Sequence, residues 1–473
     1  MKIKNLKIYI IISVALLLVL NVQGQELISL ERCREMAMLK NENMKMADKN
    51  IEKAMAEKAS VRTMYLPSFS ASFMGVYLKD DISIEMYLPT VTPDLATGEL
   101  VPNIMVNPMT GQPVIGADGN PVFNMYAWLP LEISLKGAYM AGVSVEQALF
   151  TGGKIIAGNK MAGIGIEMAK QNKELQQMNA LLEADQAYWL YVSVNEKVKL
   201  ANQAVVLLNS LVERVQDAYE IGMVNQNELL KVQVEYNNAT LDLHKAQSGL
   251  QLTRMSLCRV CGLDFNTLIT ATDTVIKFSN TLLAQFGSEE LSQRPEYKLM
   301  MHAVDMETEN IKVIRADYLP LAGISAGYSR TGGIEFSGTN FDNNNLNVMA
   351  SVKIPLFHWG EGKQKIKSAQ VSKELKQLEL EKNSQLIQLE IEQAKLNLKD
   401  AWLRISLSKK GLTQAKENLR LSNDNYELGA ELISDVLIAQ TQWQKAYSEL
   451  IDAKTDFKLK ETIYLKASAQ LLE

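Results

Sequence analysis

Histidine and cysteine are scarce, three of each in 473 residues. His244, His302 and His358 are scattered and lack the spacing of a metal site. Cys33 stands alone. It lies too far from the expected leader cut to serve as a lipid-anchored first residue. Cys258 and Cys261 form one CxxC with no second pair. That reads as two small buried hydrophobes ahead of a redox pair or half a metal site. No phosphate loop is present either, since "GGKIIAGNK" has the wrong order. Its Gly153, Gly158 and Gly163 are expected to allow close helix packing. No catalytic residues, metal or other cofactor are therefore expected, and an enzyme is the weakest reading.

Basic excess is also missing. The 49 Lys and Arg face 54 Asp and Glu, a net charge of −5. Removing the leader lysines Lys2, Lys4 and Lys7 brings it to −8. That balance argues against nucleic acid as a partner. Long apolar runs are confined to the start of the chain. Ile8–Leu20 follows the three lysines and precedes "NVQGQ", the pattern of a signal peptide over 1–24 cut near Gly24. An uncleaved anchor is the alternative. No later segment holds 18 consecutive apolar residues, so no further transmembrane helix is expected.

Proline is rationed by region. Eight of eleven prolines fall within 67–130, none within 131–294, and none after Pro355. Two long stretches are thus free of helix breakers. In one, Leu380, Ser384, Ile387, Ile391, Ala394, Leu398, Ala401, Ile405, Ser408, Leu412, Ala415, Leu419, Ser422 and Tyr426 alternate steps of three and four. This is a heptad seam with many small residues. A second row, Leu389, Leu396 and Leu403, equips the same helix for a second neighbour.

Between the helical stretches the period falls to two. Phe69, Ala71, Phe73 and Tyr77 share a face, as do Tyr139, Ala141, Val143 and Val145. So do Ala322, Ile324, Ala326 and Tyr328, and Leu346, Val348, Ala350, Val352 and Ile354. Such segments suit either a membrane barrel or a half-buried soluble sheet. A turn-rich excursion is expected over about 79–130.

The chain also repeats itself. "YEIG" at Tyr219 returns as "YELG" at Tyr426, and "QALFTGGK" returns as "IPLFHWGEGK", both 207 positions on. "YLPSFSASF" from Tyr65 matches "YLPLAGISA" from Tyr318. Each half reads helix, Pro, strand, loop, strand, Gly, long helix, turn, helix. The copies are expected over 25–263 and 293–473, joined by 264–292. Four strands cannot close a barrel, and lipid forbids open strand edges, so membrane-spanning strands would require oligomers.

These motifs, in this order and duplicated, resemble the TolC-like outer-membrane efflux proteins. "LP" stands at each helix-to-strand junction, and "SLERCREMAM" and "RPEYKLMMHAV" resemble the helices that open the two halves. The resemblance implies a mixed, mainly α fold. In it a homotrimeric outer-membrane β-barrel, four strands per chain and 12 in all, continues into a periplasmic barrel of coiled-coil hairpins. It implies outer-membrane lipid around the barrel, a periplasmic adaptor protein at the closed tip, and an inner-membrane transporter that supplies the energy. Gly222, Met223, Gly429 and Ala430 match the adaptor-docking turns. Asp435, in "DVL", matches the gate acid, although it also suits a helix N-terminus. A second family acid is replaced by Ile438. Tyr426 matches a latch tyrosine reaching the first turn, where Asn227 and Glu228 stand. The family's latch arginine is replaced by Glu431, so a closed tip would rely on packing more than on ion pairs. The alternative is a non-conducting structural coiled-coil protein of the envelope.

Overall fold

The computed structural model describes residues 26–89, 91–124, 128–273, 291–336 and 339–472. The expected signal peptide and residues 274–290 of the expected linker lie outside them. The chain is mainly helical. Its elements in order are β1 (Glu26–Ile28), α1 (Leu30–Lys40), α2 (Glu42–Arg62), β2 (Ser68–Pro89), β3 (Val91–Pro93), β4 (Leu100–Pro102) and β5 (Trp128–Phe150). Then follow α3 (Lys154–Glu220), α4 (Gln226–Cys261), β6 (Ile269–Ala271), α5 (Pro295–Ala316), β7 (Leu321–Phe336), β8 (Thr339–Lys353), α6 (Glu361–Glu427) and α7 (Ile433–Ala467). They sort into a helical unit (Met1–Lys58, Lys160–Asn310, Ser368–Glu473) and a strand unit (Ala59–Asn159, Ile311–Lys367).

The helical unit is built on seams. α6 buries Ile387, Ile391, Ala394, Leu398, Ala401 and Ile405 against Leu450, Ala453, Phe457 and Tyr464 of α7. All six α6 positions belong to the heptad row expected from the sequence. Burial of one such row is what holds a long helix, since propensity alone is weak. The second row of α6, Leu389, Leu396 and Leu403, stays exposed. α3 and α4 form the other hairpin, where Ala184, Tyr188 and Val192 meet Leu257, Cys258 and Cys261, with Cys33 and Ala37 of α1. α3 and α6 are each 67 residues long. At 1.5 Å per residue each is on the order of 100 Å long.

Two arginine–carboxylate sites, each with one buried partner, tie helices together. The Asp185 carboxylate in α3 is fully buried. It accepts from Arg34 Nε at 2.7 Å and Nη2 at 2.6 Å, and from Thr462 Oγ1 at 2.5 Å. Three helices, α1, α3 and α7, are thus tied at one carboxylate. Arg294, also buried, donates to Glu296, to Glu390 and to the Ala467 carbonyl. Burial works against ionisation of Glu296, but the hydrogen bonds and charge of Arg294 outweigh it and hold the carboxyl below its usual range.

The strand unit holds one antiparallel sheet in the order β2-β5-β7-β8. Its register sorts residues by polarity. Phe69 pairs with Val145, Val145 with Ala326, and Ala326 with Val348. One step along the same face, Ala71, Val143, Tyr328 and Leu346 line up. The opposite face carries Ser70, Ser144, Gly327 and Asn347, then Ser72, Gly142, Ser329 and Asn345. The apolar face is bare, with Phe69, Phe73, Tyr77 and Leu346 all more than 70% exposed. Among the described residues β2 and β8 each leave one edge unpaired.

Two expectations need correction. The first strand does not stop near Lys79. A register irregularity between Tyr77 and Ile82 absorbs Lys79, Asp80 and Asp81, after which β2 pairs with β5 out to Pro89 and Trp128. The excursion is therefore shorter than 79–130. It is built of turns in which Asp94, Asn107 and Asp118 side chains accept from the amides of Ala96, Met109 and Asn120. The glycines at the strand-to-helix junction also act differently. A carbon added at Gly158 or Gly163 meets only ordinary contacts, and none at Gly153. The crowded position is Gly152, where it would lie 2.8 Å from the Ala316 carbonyl oxygen.

Arg34→Met will strand the Asp185 carboxylate and cost about 3–5 kcal/mol of stability in urea unfolding. Arg34→Met combined with Asp185→Leu will recover most of that loss, because it also removes the buried charge. For Glu296 the sign follows from its depressed folded-state pKa. Its contribution is present above the ordinary carboxylate range and disappears as pH falls through the folded value. The acid-induced loss of stability should be smaller in Glu296→Gln, measured as the unfolding midpoint against pH.

Candidate functional site

Two helix turns face each other in the helical unit. α3 ends at Glu220 and α6 at Glu427, each followed by a left-handed glycine, Gly222 at φ 76° and Gly429 at φ 72°. The amide of Gly222 bonds the Tyr219 carbonyl and that of Met223 bonds Ala218. The amides of Gly429 and Ala430 repeat this on Tyr426 and Asn425. This paired cap satisfies the last carbonyls of each helix, and it places a glycine where a side chain would be strained. Gly222, Met223, Gly429 and Ala430 are all exposed, and Ile221, Leu428 and Leu432 beside them present further apolar surface.

The chain re-enters a helix differently on the two sides. Before α4, the Asn225 side chain accepts from the Glu228 amide at 3.1 Å. Before α7 the capping position is Leu432, whose side chain offers no acceptor. Asp435 compensates by reaching back, its carboxylate accepting from the Leu432 amide at 3.2 Å. The exposed Asp435 thus serves its own helix start. The asymmetry is local chemistry, Asn in one turn and Leu in the other.

The turns meet through an apolar cluster. Leu208, Leu211 and Val215 of α3 pack with Leu229 and Val232 of α4 and with Ile433 and Val436 of α7. Tyr426 lies at its margin. Burial, then the nearby Glu228 carboxylate, raises the Tyr426 pKa, so its hydroxyl keeps its proton. No hydrogen bond joins Tyr426 to Glu228 or Asn227 among the described residues. Asn227 instead lines an open groove of about 430 Å³ with Leu230, Val234, Leu437 and Ile438. Glu431 is held by the Asn425 side chain at 2.9 Å, within its own turn.

One contact was not anticipated. Arg214 of α3 pairs with Glu427 of α6 at 2.8 Å across the two hairpins. Both are exposed helix residues separated by 213 positions, and no local motif marks either one. The only signal is comparative: 207 positions after Arg214 stands Leu421, so the first copy alone carries a cation there. Further along the same helices, an open groove of about 850 Å³ lies between α3 and α6, lined by Val206, Leu207, Leu419, Arg420 and Trp443 among others.

The family model for the outer membrane efflux protein matches residues 129–263 and 287–462. The outer membrane protein TolC of Vibrio cholerae is 18% identical over 290 residues, which span 60% of this chain and 66% of that protein. Among solved structures, the Campylobacter jejuni CmeC outer membrane channel superposes with a TM-score of 0.67 at 16% identity, covering 93% of this chain and 86% of its own. The open state of the Neisseria gonorrhoeae MtrE outer membrane channel gives 0.65 at 16% identity, with 94% and 89% covered. At these identities the structures show a shared fold.

The cluster and the ion pair should differ in weight. Val215→Ala removes two fully buried methyls and is expected to cost about 2 kcal/mol. Arg214→Ala removes an exposed charge and is expected to cost about 0.5 kcal/mol or less. Urea unfolding of both variants tests the ranking, and a cost for Arg214→Ala equal to or above that for Val215→Ala would overturn it.

Proposed function

Because the chain belongs to the outer membrane efflux protein family, we propose that it forms an outer-membrane exit duct for export from an inner-membrane transporter. A leader over 1–24 is removed near Gly24. The duplicated halves, 25–263 and 293–473, are joined by 264–292. Three copies assemble and supply twelve strands to one barrel, an ordinary size for such a protein. The observation that carries this reading is the sheet itself. Its register gives one bare apolar face and one polar face, and it leaves an edge open on β2 and on β8. Lipid accepts that apolar face, but no open edge can remain there, so neighbouring copies must pair β8 with β2. The exposed row Leu389, Leu396 and Leu403 gives α6 an apolar stripe for an adjacent copy.

On this reading the helical hairpins continue the duct through the periplasm. The exposed turns at Gly222, Met223, Gly429 and Ala430 receive a periplasmic adaptor protein. Tyr426, with Glu228 and the Arg214–Glu427 pair, latches the entrance, and Asp435 contributes one carboxylate per copy to its lining. Asn227 and Glu431 flank that entrance without bridging it. The duct carries out no chemistry and holds no cofactor, so its energy comes from the transporter.

Purified chain in detergent should run as a trimer whose migration shifts on heating, and it should conduct ions across a planar bilayer. A monomer without conductance would favour the structural coiled-coil reading. Arg214→Ala should raise conductance about twofold or less, and Tyr426→Ala, which removes ring packing at the margin of the cluster, should raise it more if these residues latch the entrance. Unchanged conductance in both would remove the latch role while leaving the duct intact.

A further inference from the structure

Cys258 and Cys261 are expected from the sequence to pack as small buried hydrophobes, and with Cys33 the chain holds three cysteines in all. Two of them are in contact. Cys261, the last residue of α4, directs its Sγ–H at Cys33 Sγ of α1 at 3.3 Å, and both side chains are fully buried. Cys258 takes another direction, its thiol reaching the Thr267 carbonyl at 3.8 Å in the loop after α4. The CxxC is therefore split, one thiol toward α1 and one toward a loop. The contact around the pair is tight. Gly262 follows Cys261 in the left-handed region at φ 63°, and a carbon added there would lie 2.7 Å from Lys40 Cβ at the end of α1. β1 and β6, just outside this contact, pair in parallel from Glu26 to Ile28.

We propose that Cys33 and Cys261 form a disulfide in the mature protein. This rests on the reading that the helical unit lies in the periplasm, an oxidising compartment. Each thiol gives up its proton and one S–S bond forms. The two electrons pass to the disulfide of an oxidised dithiol carrier, which leaves as a dithiol. Burial of both sulfurs dates the exchange to folding, before α1 closes over the end of α4. The product is a covalent loop between positions 228 apart. It ties the first helix to the base of the first hairpin, adding a covalent tie to side-chain packing, the Arg34 ion pair and the bond from Lys40 Nζ to the Gly262 carbonyl. Cys258 stays a free thiol.

Trypsin reads the pairing without any substitution, because Arg259 separates Cys258 from Cys261. Protein from the outer-membrane fraction is denatured in an alkylating reagent without reductant, digested, and mapped by mass spectrometry. The expected result is Cys33-Arg34 linked to the peptide beginning at Val260, with Cys258 alkylated in Met255–Arg259. Three alkylated cysteines, or a link between Met255–Arg259 and the Val260 peptide, would overturn the proposal. The N-terminal peptide from the same digest reports the leader. If the chain instead keeps its leader and stays soluble, the location reading fails on its own. The purified chain refolded with glutathione disulfide then tests the pairing, and absence of the Cys33–Cys261 link there overturns it as well. Cys258→Ser should leave the link intact, whereas Cys261→Ser should abolish it.

Discussion

The two turns can pack on one another only if the helices that reach them have equal length. α3 and α6 each run for 67 residues and stop two residues before their Tyr-x-x-Gly motifs end. Each residue advances a helix by about 1.5 Å, so losing two turns from one helix would part the turns by about 11 Å. The apolar cluster of Leu211, Val215, Ile433 and Val436 would then face water. Length matching is thus a packing constraint, enforced at the far end of each hairpin. The heptad seams translate it, since a step of three or four residues must keep the buried row facing its partner along the whole helix.

Much of this was legible in the sequence because it depends on period. The row from Ile387 to Ile405 could be assigned by counting, and it is buried. Alternation put Phe69, Val145, Tyr328 and Leu346 each on the apolar face of its own strand, and strand pairing then sets Phe69 beside Val145 and Tyr328 beside Leu346. The strand ends were less legible. Lys79, Asp80 and Asp81 look like a stop, but a local register irregularity lets the pattern resume at Ile82. Charge clusters are poor strand terminators when the backbone can bulge around them.

The candidate site was legible in part. Gly222 and Gly429 announced themselves as breaks in helical periodicity, while Tyr426 packs at the margin of the cluster with no hydrogen bond to Glu228 among the described residues. Arg214 and Glu427 did not announce themselves. Each is an ordinary exposed helix residue, and only packing of α3 beside α6 makes them a pair. Cys33 and Cys261 are the same case, since 228 positions and one helix docking separate a lone cysteine from a contact. Asp435 shows the opposite limit. Its motif suggested a shared role, yet its nearest obligation is the orphan amide of Leu432, a residue that cannot cap its own helix.

The balance of forces at the turns bears on how they could part. An exposed ion pair contributes little net stability, because water competes for both charges. The apolar cluster contributes several times more, and it is shared by helices from both hairpins. Separation of the hairpins would therefore be opposed mainly by loss of apolar contact. A partner could shift that equilibrium only by binding the separated arrangement better than the packed one. The exposed side chains Ile221, Met223, Leu428 and Leu432 stand beside the cluster and outside it. Apolar surface offered there by a partner could compensate for what the cluster loses. A charge reversal at Arg214 would disturb the same equilibrium far less. A buried apolar cluster adjoins an exposed apolar rim here, and the ion pairs Arg214–Glu427 and Lys197–Asp452 between the hairpins are exposed and weak, so a partner offering apolar surface would act on the cluster rather than on the charges.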